Sequence, residues 1–476
     1  MAQALTSLEL APVNMAAGLR TLDDADIARI HQAALHIISR VGLRVEHAGI
    51  LARLADFGGQ AEGQTVRFTP EFVEEFIAGS EPVQWPPAEA RVNAPVGIFV
   101  GRYLDPRTGR HVPWTEPALT DYIKLAHNLP NVDGAGMLGC PLNLPNRLHP
   151  LYQRLLCYQY GANSGGSLWD LRLLPFIEEM TQVVAGARGT SLQQEWRASV
   201  YLLSPLKLGR VEAEHFAWCA ERGYRCGVDH MMSAGATGPV TIAGCVALYL
   251  AETLFSHIIR RAYYGDLRLH LHCSISVADM RTGVHPYGAP ERVLANLMMA
   301  DMARHYRASF SGHGGHTDAK VPSYEAGAQK VLTGLPILLA GGTMSVACGL
   351  LSTDEVYSPI QMVLDNELVG ALRRFARGVE VSDETLALEV IEQVGPGGQF
   401  LDQEHTARHF RAEHWLPGIF SRELLEGWLA GDRKPDAQRA RDIYEAAMAG
   451  PDQPMGDPAV VEQLREIIMR AGEAVR

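Results

Sequence analysis

Two stretches of this sequence place histidines where they could do chemistry. Arg268-Leu269-His270-Leu271-His272-Cys273 alternates like a β-strand, in which side chains two apart share a face, so His270 and His272 point the same way. Downstream come Asp279-Met280-Arg281-Thr282-Gly283 and then His313-Gly314-Gly315-His316-Thr317-Asp318-Ala319-Lys320. If neighbouring strands deliver His270, His272, His313 and His316 to one rim, with Cys273, Asp279 and Asp318, the set could ligate zinc or iron. The same histidines could instead hydrogen-bond a polar ligand or one another, because no HExxH or H-x-x-E-H frame holds them. A second set suits a different ligand. Trp169 beside Asp170, Tyr201 and Tyr287 offer ring faces near a carboxylate, and ring faces attract a quaternary ammonium, which has no hydrogen-bond donor. Taken singly, each ring could simply be packing. The third feature is the stretch Asp229 to Pro239, which brings His230 to the rim. Its Gly235-Ala236-Thr237-Gly238 would open a helix whose free amides could hold phosphate or carboxylate. It lacks the Gly-Lys-Ser/Thr ending of a P-loop, and a tight turn would satisfy the same residues.

These groups need elements to position them. From about Asn131 short apolar runs alternate with long helical stretches, the grammar of parallel βα units. The spacing predicts strands over Val132–Cys140, Gly161–Ser167, Ala198–Leu203, Cys226–Met231, Leu267–Ile275, Ala308–Ser311 and Pro336–Leu339. It predicts helices over Tyr152–Tyr160, Leu173–Val184, Val211–Arg222, Pro239–Tyr263, Pro290–Tyr306, Tyr324–Leu332 and Ile360–Arg377. Seven such units over about 250 residues fit an α/β fold of the (β/α)8 TIM-barrel type, with chemistry at the C-terminal ends of the strands. A doubly wound sheet is the alternative. The eighth strand is either Gly378–Val381 or Ile98–Val100. Before this region, residues 21–125 read as a small α+β cap with a hairpin. It comprises a helix from Thr21 to Gly42, a strand over Leu43–Val45, a helix over Ile50–Phe57, a strand over Thr65–Phe68 and a helix capped by Thr69-Pro70. A hairpin turning at Asp105–Gly109 completes it. Residues 1–20 read as a flexible arm, 126–385 as the catalytic barrel and 386–476 as a helical C-terminal extension. Long terminal extensions point to a homo-oligomer.

Composition excludes several classes. The chain has 476 residues with 42 Lys+Arg against 54 Asp+Glu, a formal charge of −12, 47% hydrophobic and 20% charged residues. That is too apolar for a disordered chain and too acidic for general nucleic-acid binding. Seven scattered cysteines without a CxxC pair read as reduced thiols, which fits the cytoplasm. No signal peptide opens the sequence, and the longest apolar candidate, Val240 to Leu254, contains Glu252 and reads as a buried helix, not a membrane span. A G-x-S-x-G elbow and a GxGxxG fingerprint are both missing, which disfavours serine hydrolases and Rossmann dehydrogenases.

Several longer motifs carry a family resemblance. LDDADIARIHQAALHIISRVGLRVEH from Leu22, VRFTPEFVEEFI from Val66, GATGPVTIAGCVALYLAETL from Gly235, DMRTG from Asp279, TDAKVPSYEAGAQK from Thr317 and VGPGGQFLDQEHT from Val394 resemble the trimethylamine methyltransferase superfamily. The likeness is to its branch without pyrrolysine, which includes glycine betaine methyltransferases. The resemblance implies a TIM barrel that demethylates a quaternary, betaine-type amine and passes the methyl to a Co(I) corrinoid (cobalamin) carried by a partner protein. Joined to that activity, the residues read above supply the site: Trp169 and Tyr201 as cage residues, with Asp279 and Asp318 balancing the cation. His230, His272, His313 and His316 would then bind and orient the substrate, with His272, Asp279 and His316 as the catalytic set. Gly235, Thr237 and Gly238 would hold an anionic group of substrate or corrinoid. The His270–Cys273 and His313–His316 segments depart from the family pattern. A zinc- or iron-dependent enzyme using the four histidines, and a binding protein that holds a methylated amine without turnover, are therefore the competing readings.

Overall fold

Parallel strands alternate with helices through the middle of the chain in the computed structural model, which describes residues 19–85, 91–96, 101–136, 141–163, 168, 170–452 and 455–475. The strand Ser199–Leu202 pairs in parallel with Gly227–His230. That chain continues into Met232–Ala234, which pairs with Ile275–Val277. His270–Cys273 pairs with Ser309–Gly312 in the register His270 to Ser309 and His272 to Ser311. Ser309–Gly312 pairs with Thr343–Ser345, and the latter with Val92–Asn93. Single parallel bridges then join Val96 to Ala135 and Gly136 to Asn163. The result is a mixed α/β fold built on one long parallel order, with helices His149–Gln159, Leu174–Arg188, Arg210–Glu221, Ile242–Tyr264, Pro290–His305, Tyr324–Leu339 and Pro359–Arg377 between the strands.

Local chemistry explains these elements. Four of the seven helices carry proline in the first turn, where its missing N–H costs nothing. Ile242–Tyr264 is long and apolar enough by composition to cross a membrane, yet 83% of its most apolar window is buried among the strands and neighbouring helices. Its one carboxylate is structural. Glu252 Oε1 accepts from Leu206 N at 2.7 Å and Oε2 from Ser204 Oγ at 2.6 Å. The loop after the Ser199–Leu202 strand is thereby fixed. Burial pushes Glu252 up to about 7, offset by those two donors.

The N-terminal elements lie near their expected positions, with the first helix beginning at Asp24 and not at Thr21. Asp23 caps the helix Asp24–His36, Thr69 caps Pro70–Ala78, and Leu43–Val45 pairs antiparallel with Thr65–Arg67. Leu43–Val45 also pairs in parallel with Lys207–Leu208, which ties this layer to the loop held by Glu252. The hairpin Arg102–Leu104 with His111–Pro113 leads into Trp114, fully buried against Tyr357 with ring centroids 4.5 Å apart. Near the C-terminus, Asp436–Met448 packs on Pro359–Arg377, and Pro458–Ala474 packs on Leu174–Arg188 and His149–Gln159.

Three expectations need correction. Pro336–Leu339 is the last turn of the helix Tyr324–Leu339, and the strand is Thr343–Ser345. The short apolar run buries Ile337 and Leu338 as part of a helical face, and Gly341-Gly342 makes the turn to the strand. Gly378–Val381 is not a strand; Val92–Asn93 takes that place beside Thr343–Ser345. The long helix starts at Ile242 and not at Pro239. The expected arm over residues 1–18, and residues 97–100, 137–140 and 164–167 of expected strands, lie outside the described residues.

Candidate active site

The C-terminal ends of the strands surround a cavity of about 420 Å³ lined by Tyr201, Asp229, His272, His313, His316 and Asp354, with Ser274, Ser311, Gly312 and Ala347 between them. Strand parity sets the first three. Tyr201 and Asp229 are register partners on adjacent strands, and His272 faces Ser311 across the next pair. Tyr201 keeps 42% of its surface exposed, so its ring is available at the cavity wall. His316 reaches the cavity because Gly315, at φ +70°, folds the chain back so closely that a Cβ there would lie 2.6 Å from Ser345 O.

The imidazoles are neutral. Burial lowers His272 to about 4 and holds His313 and His316 well below the ordinary histidine value, with the Arg292 guanidinium adding to both. Hydrogen-bond partners assign their tautomers. His313 Nδ1 meets the Nη2 of Arg292, a pure donor, so the His313 proton is on Nε2. His316 Nδ1 lies 2.7 Å from Gly314 O, so it donates there and leaves Nε2 as an acceptor. The two rings are 4.1 Å apart edge to face and present one donor and one acceptor. Arg292 is fully buried, lies over the Tyr287 ring at 4.2 Å, donates from Nε to His313 O, and has Nη1 without a partner.

The carboxylates are the charged groups of this wall. Burial raises Asp229, and the Arg260 guanidinium offsets only part of that. Asp354 sits in the left-handed region at φ +79°, and burial pushes it up to about 6 against the pull of Arg292 and a hydrogen bond from Tyr287. A cavity with two under-compensated carboxylates, an exposed tyrosine ring and neutral imidazoles favours a cation without demanding a hydrogen bond from it.

Of the residues expected from sequence, Tyr201, His272, His313 and His316 meet here. The others do not. His230 is buried behind His272, ring centroids 5.6 Å apart, with Nε2 against Tyr249 O and Thr253 Oγ1. Asp318 has its oxygens taken by Tyr287 N, Gly288 N and Thr353 Oγ1, at 2.7 to 2.9 Å, and so it braces loops. Asp279 is a turn residue accepting from Arg281 N at 2.8 Å and pairing with the Arg281 guanidinium, away from the cavity lining. Gly235, Thr237 and Gly238 form no anion cradle: Thr237 N and Gly238 N donate to Ser233 O, Gly235 N to Gly238 O, and Thr237 Oγ1 accepts from Ser233 N. Gly235 is there for the turn, at φ +88°. The four histidines do not make one ligand set, because His270 donates to or accepts from Ser309 Oγ and Ser311 Oγ at 2.8 Å each. Among the described residues only His215, Cys219 and Cys226 gather three ligand atoms. Trp169 lies outside the described residues. Sequence reasoning missed Asp229 and Asp354 as site residues; Asp229 stood beside the chosen His230, and the alternation that places Tyr201 inward on the neighbouring strand was the signal for it.

Comparison with known proteins decides the class. The family model for trimethylamine methyltransferase (MTTB) matches residues 2–98 and 100–475. The chain belongs to this family. It is 25% identical to the glycine betaine methyltransferase of Desulfitobacterium hafniense (strain Y51), over 95% of this chain and 97% of that protein. It is equally 25% identical to trimethylamine methyltransferase MttB of D. hafniense (strain DSM 10664 / DCB-2), over 91% and 89%. The crystal structure of the Methanosarcina barkeri monomethylamine methyltransferase (MtmB) aligns with TM-score 0.44 and 14% identity, over 90% of this chain and 88% of that one. As a member of the trimethylamine methyltransferase family the chain is a methyltransferase.

Proposed function

We propose that this methyltransferase demethylates a quaternary, betaine-type amine and that the methyl acceptor is a corrinoid on a separate partner protein. The observation that carries the substrate class is the pair of half-buried carboxylates, Asp229 and Asp354, beside the exposed face of Tyr201 in the cavity. Fixed negative charge and a ring face recognise a permanently charged ammonium. No residue needs to give up a proton: the methyl departs without its bonding pair, which stays on nitrogen, and the product is a neutral tertiary amine. Loss of the positive charge weakens the hold of both carboxylates, which favours product release. His313 Nε2–H, with the Arg292 charge behind it, suits a substrate carboxylate or hydroxyl at the other end of the molecule. The histidines thus orient the substrate, and burial keeps them from competing as cations.

The corrinoid would supply a Co(I) nucleophile. On the segments that follow the strand ends, Leu203, Met231, Val240, Met280 and Val284 stay between 41% and 68% exposed, and Met231 also lines the cavity; this is apolar surface that fits a flat macrocycle and the protein presenting it. We further read the parallel strand order as a closed (β/α)8 barrel, with residues 21–125 as cap, 386–476 as extension, and the protein as a cytoplasmic homo-oligomer. The test is turnover with a Co(I) corrinoid protein and a panel of methylated amines, reading product amine and the loss of Co(I) absorbance. Demethylation of glycine betaine or a related quaternary amine is expected. Turnover confined to tertiary or secondary amines would refute the substrate class.

A further inference from the structure

A second cluster of reactive side chains lies far from the cavity mouth, at the N-terminal end of the strands. His215 and Cys219 sit one turn apart on the helix Arg210–Glu221, and Cys226 immediately precedes the strand Gly227–His230. One nitrogen and two sulfurs lie within 4.8 Å of one another, and the three residues are 4%, 0% and 2% exposed. We propose that His215, Cys219 and Cys226 bind one thiophilic divalent metal ion, Zn(II) by preference, in a structural role.

Spacing, charge and surroundings all support the assignment. Bound zinc holds thiolate sulfurs roughly 3.8 Å apart at metal–sulfur distances near 2.3 Å, so side-chain adjustments below about 1 Å close the site. Two thiolates and a neutral imidazole around a divalent cation form a neutral unit, the form that burial tolerates; a monovalent ion would leave a buried negative charge. The surroundings are those of a metal–thiolate centre. The Trp196 indole Nε1–H is buried without a hydrogen-bond partner and lies beside Cys219, where it is free to support a ligating thiolate. Trp196, Trp218 and Tyr224 pack on one another with ring centroids 4.6 to 6.1 Å apart, next in sequence or space to Cys219. Binding releases the two thiol protons to solvent. Among the described residues no fourth His, Cys, Asp or Glu joins the trio, which leaves the fourth position to water or a small exogenous ligand. The ion would pin the helix to the strand that carries Asp229 into the cavity.

The test uses the full chain, purified without chelator under reducing conditions. Metal content by mass spectrometry, and titration of the apo chain with Zn(II) and Co(II), should give about one equivalent per chain and a near-ultraviolet thiolate-to-cobalt charge-transfer band. Both should fall at least tenfold in Cys219→Ser and in Cys226→Ser, and persist in His272→Ala and His313→Ala. His215→Asn, which keeps both thiols, serves if a cysteine variant does not fold; its expected result is a weakened cobalt band at a shifted wavelength. Absence of metal and of the cobalt band in chain whose thiols are all titratable would overturn the proposal. So would metal retained without Cys219 and Cys226, or a Cys219–Cys226 disulfide in place of metal.

Discussion

Replacing Asp354 with asparagine should move binding and stability in opposite directions. Asparagine keeps the shape and can still accept the hydrogen bond from Tyr287, so the change removes charge alone. At about 4 to 5 Å and an effective dielectric near 20, one charge pair contributes about 3 to 4 kcal/mol, equivalent to a loss of roughly several hundredfold in affinity for a quaternary ammonium. The folded-state value of about 6 lies above the ordinary 3.8, so the ionised carboxylate is a cost to the folded state above pH 6 that vanishes below pH 4. That cost is about 3 kcal/mol at neutral pH. Asp354→Asn should therefore raise the thermal midpoint by about 3 °C in a chain of this length, measured at pH 7.5. Calorimetric titration with glycine betaine in the absence of any corrinoid protein measures the binding term. Wild-type affinity should fall as pH drops through about 6, where the carboxylate takes up a proton, and the variant should be flat over that range. Affinity within threefold of wild type, or a lowered thermal midpoint with binding intact, would refute the role given to Asp354.

Three other outcomes follow from the same geometry. Tyr201→Ala should weaken quaternary-amine binding by roughly 1 kcal/mol, about fivefold, and Tyr201→Phe should restore it, because the ring face carries the interaction; equal losses in both variants would shift the role to the hydroxyl. Asp279→Asn should leave methyl transfer within about twofold of wild type, since the carboxylate serves an exposed turn with Arg281; a large loss of rate would return Asp279 to the site. Lys330→Met should destabilise the fold by about 3 to 5 kcal/mol in urea denaturation, because it strands the buried Asp365 carboxylate 2.8 Å from where Nζ was. Lys330 Nζ also donates to Ala347 O on the cavity wall, so activity should fall with stability.

What could be read from the sequence follows from which physical signals are local. Alternation at His270–Cys273 and Ser199–Leu202 and the apolar stripes of the helices reported their elements, because periodicity is decided by the residues themselves. Pro336–Leu339 failed for the same reason: four apolar residues fit a buried strand or a last helical turn equally well, and only packing of Ile337 and Leu338 chose the helix. In the site, Tyr201, His272, His313 and His316 were legible because strand parity or a glycine turn aimed them inward. Asp354 was not, because Ser352-Thr353-Asp354 has the composition of a solvated turn, and the groups that act on its carboxylate, Tyr287 and Arg292, come from distant segments. Asp279 and Asp318 misled because charge near a histidine motif suggests function, and here one pairs with its own neighbour and the other holds three donors of the surrounding loops.

The cavity's electrostatics then fit the chemistry of a quaternary amine better than that of a protonated one. A tertiary amine gives up a methyl only as its ammonium ion, leaving as a neutral secondary amine that keeps the N–H proton, so its site must hold that proton on nitrogen or supply it from an acid. The imidazoles are no such acid: His272 is held near 4, and His313 and His316 are held well below their ordinary value by burial and Arg292. Asp354 could share the ammonium proton, but taking it would discharge one of the two groups that hold the cation and leave a neutral amine with a poor leaving group. A quaternary substrate removes this conflict, since its charge does not depend on a proton and the carboxylate charge is kept until the product becomes neutral. If His272→Ala reduced kcat while a pH-rate profile showed a group near neutrality disappearing, a proton would be in transit through that ring, and the quaternary assignment would have to give way to a protonated amine.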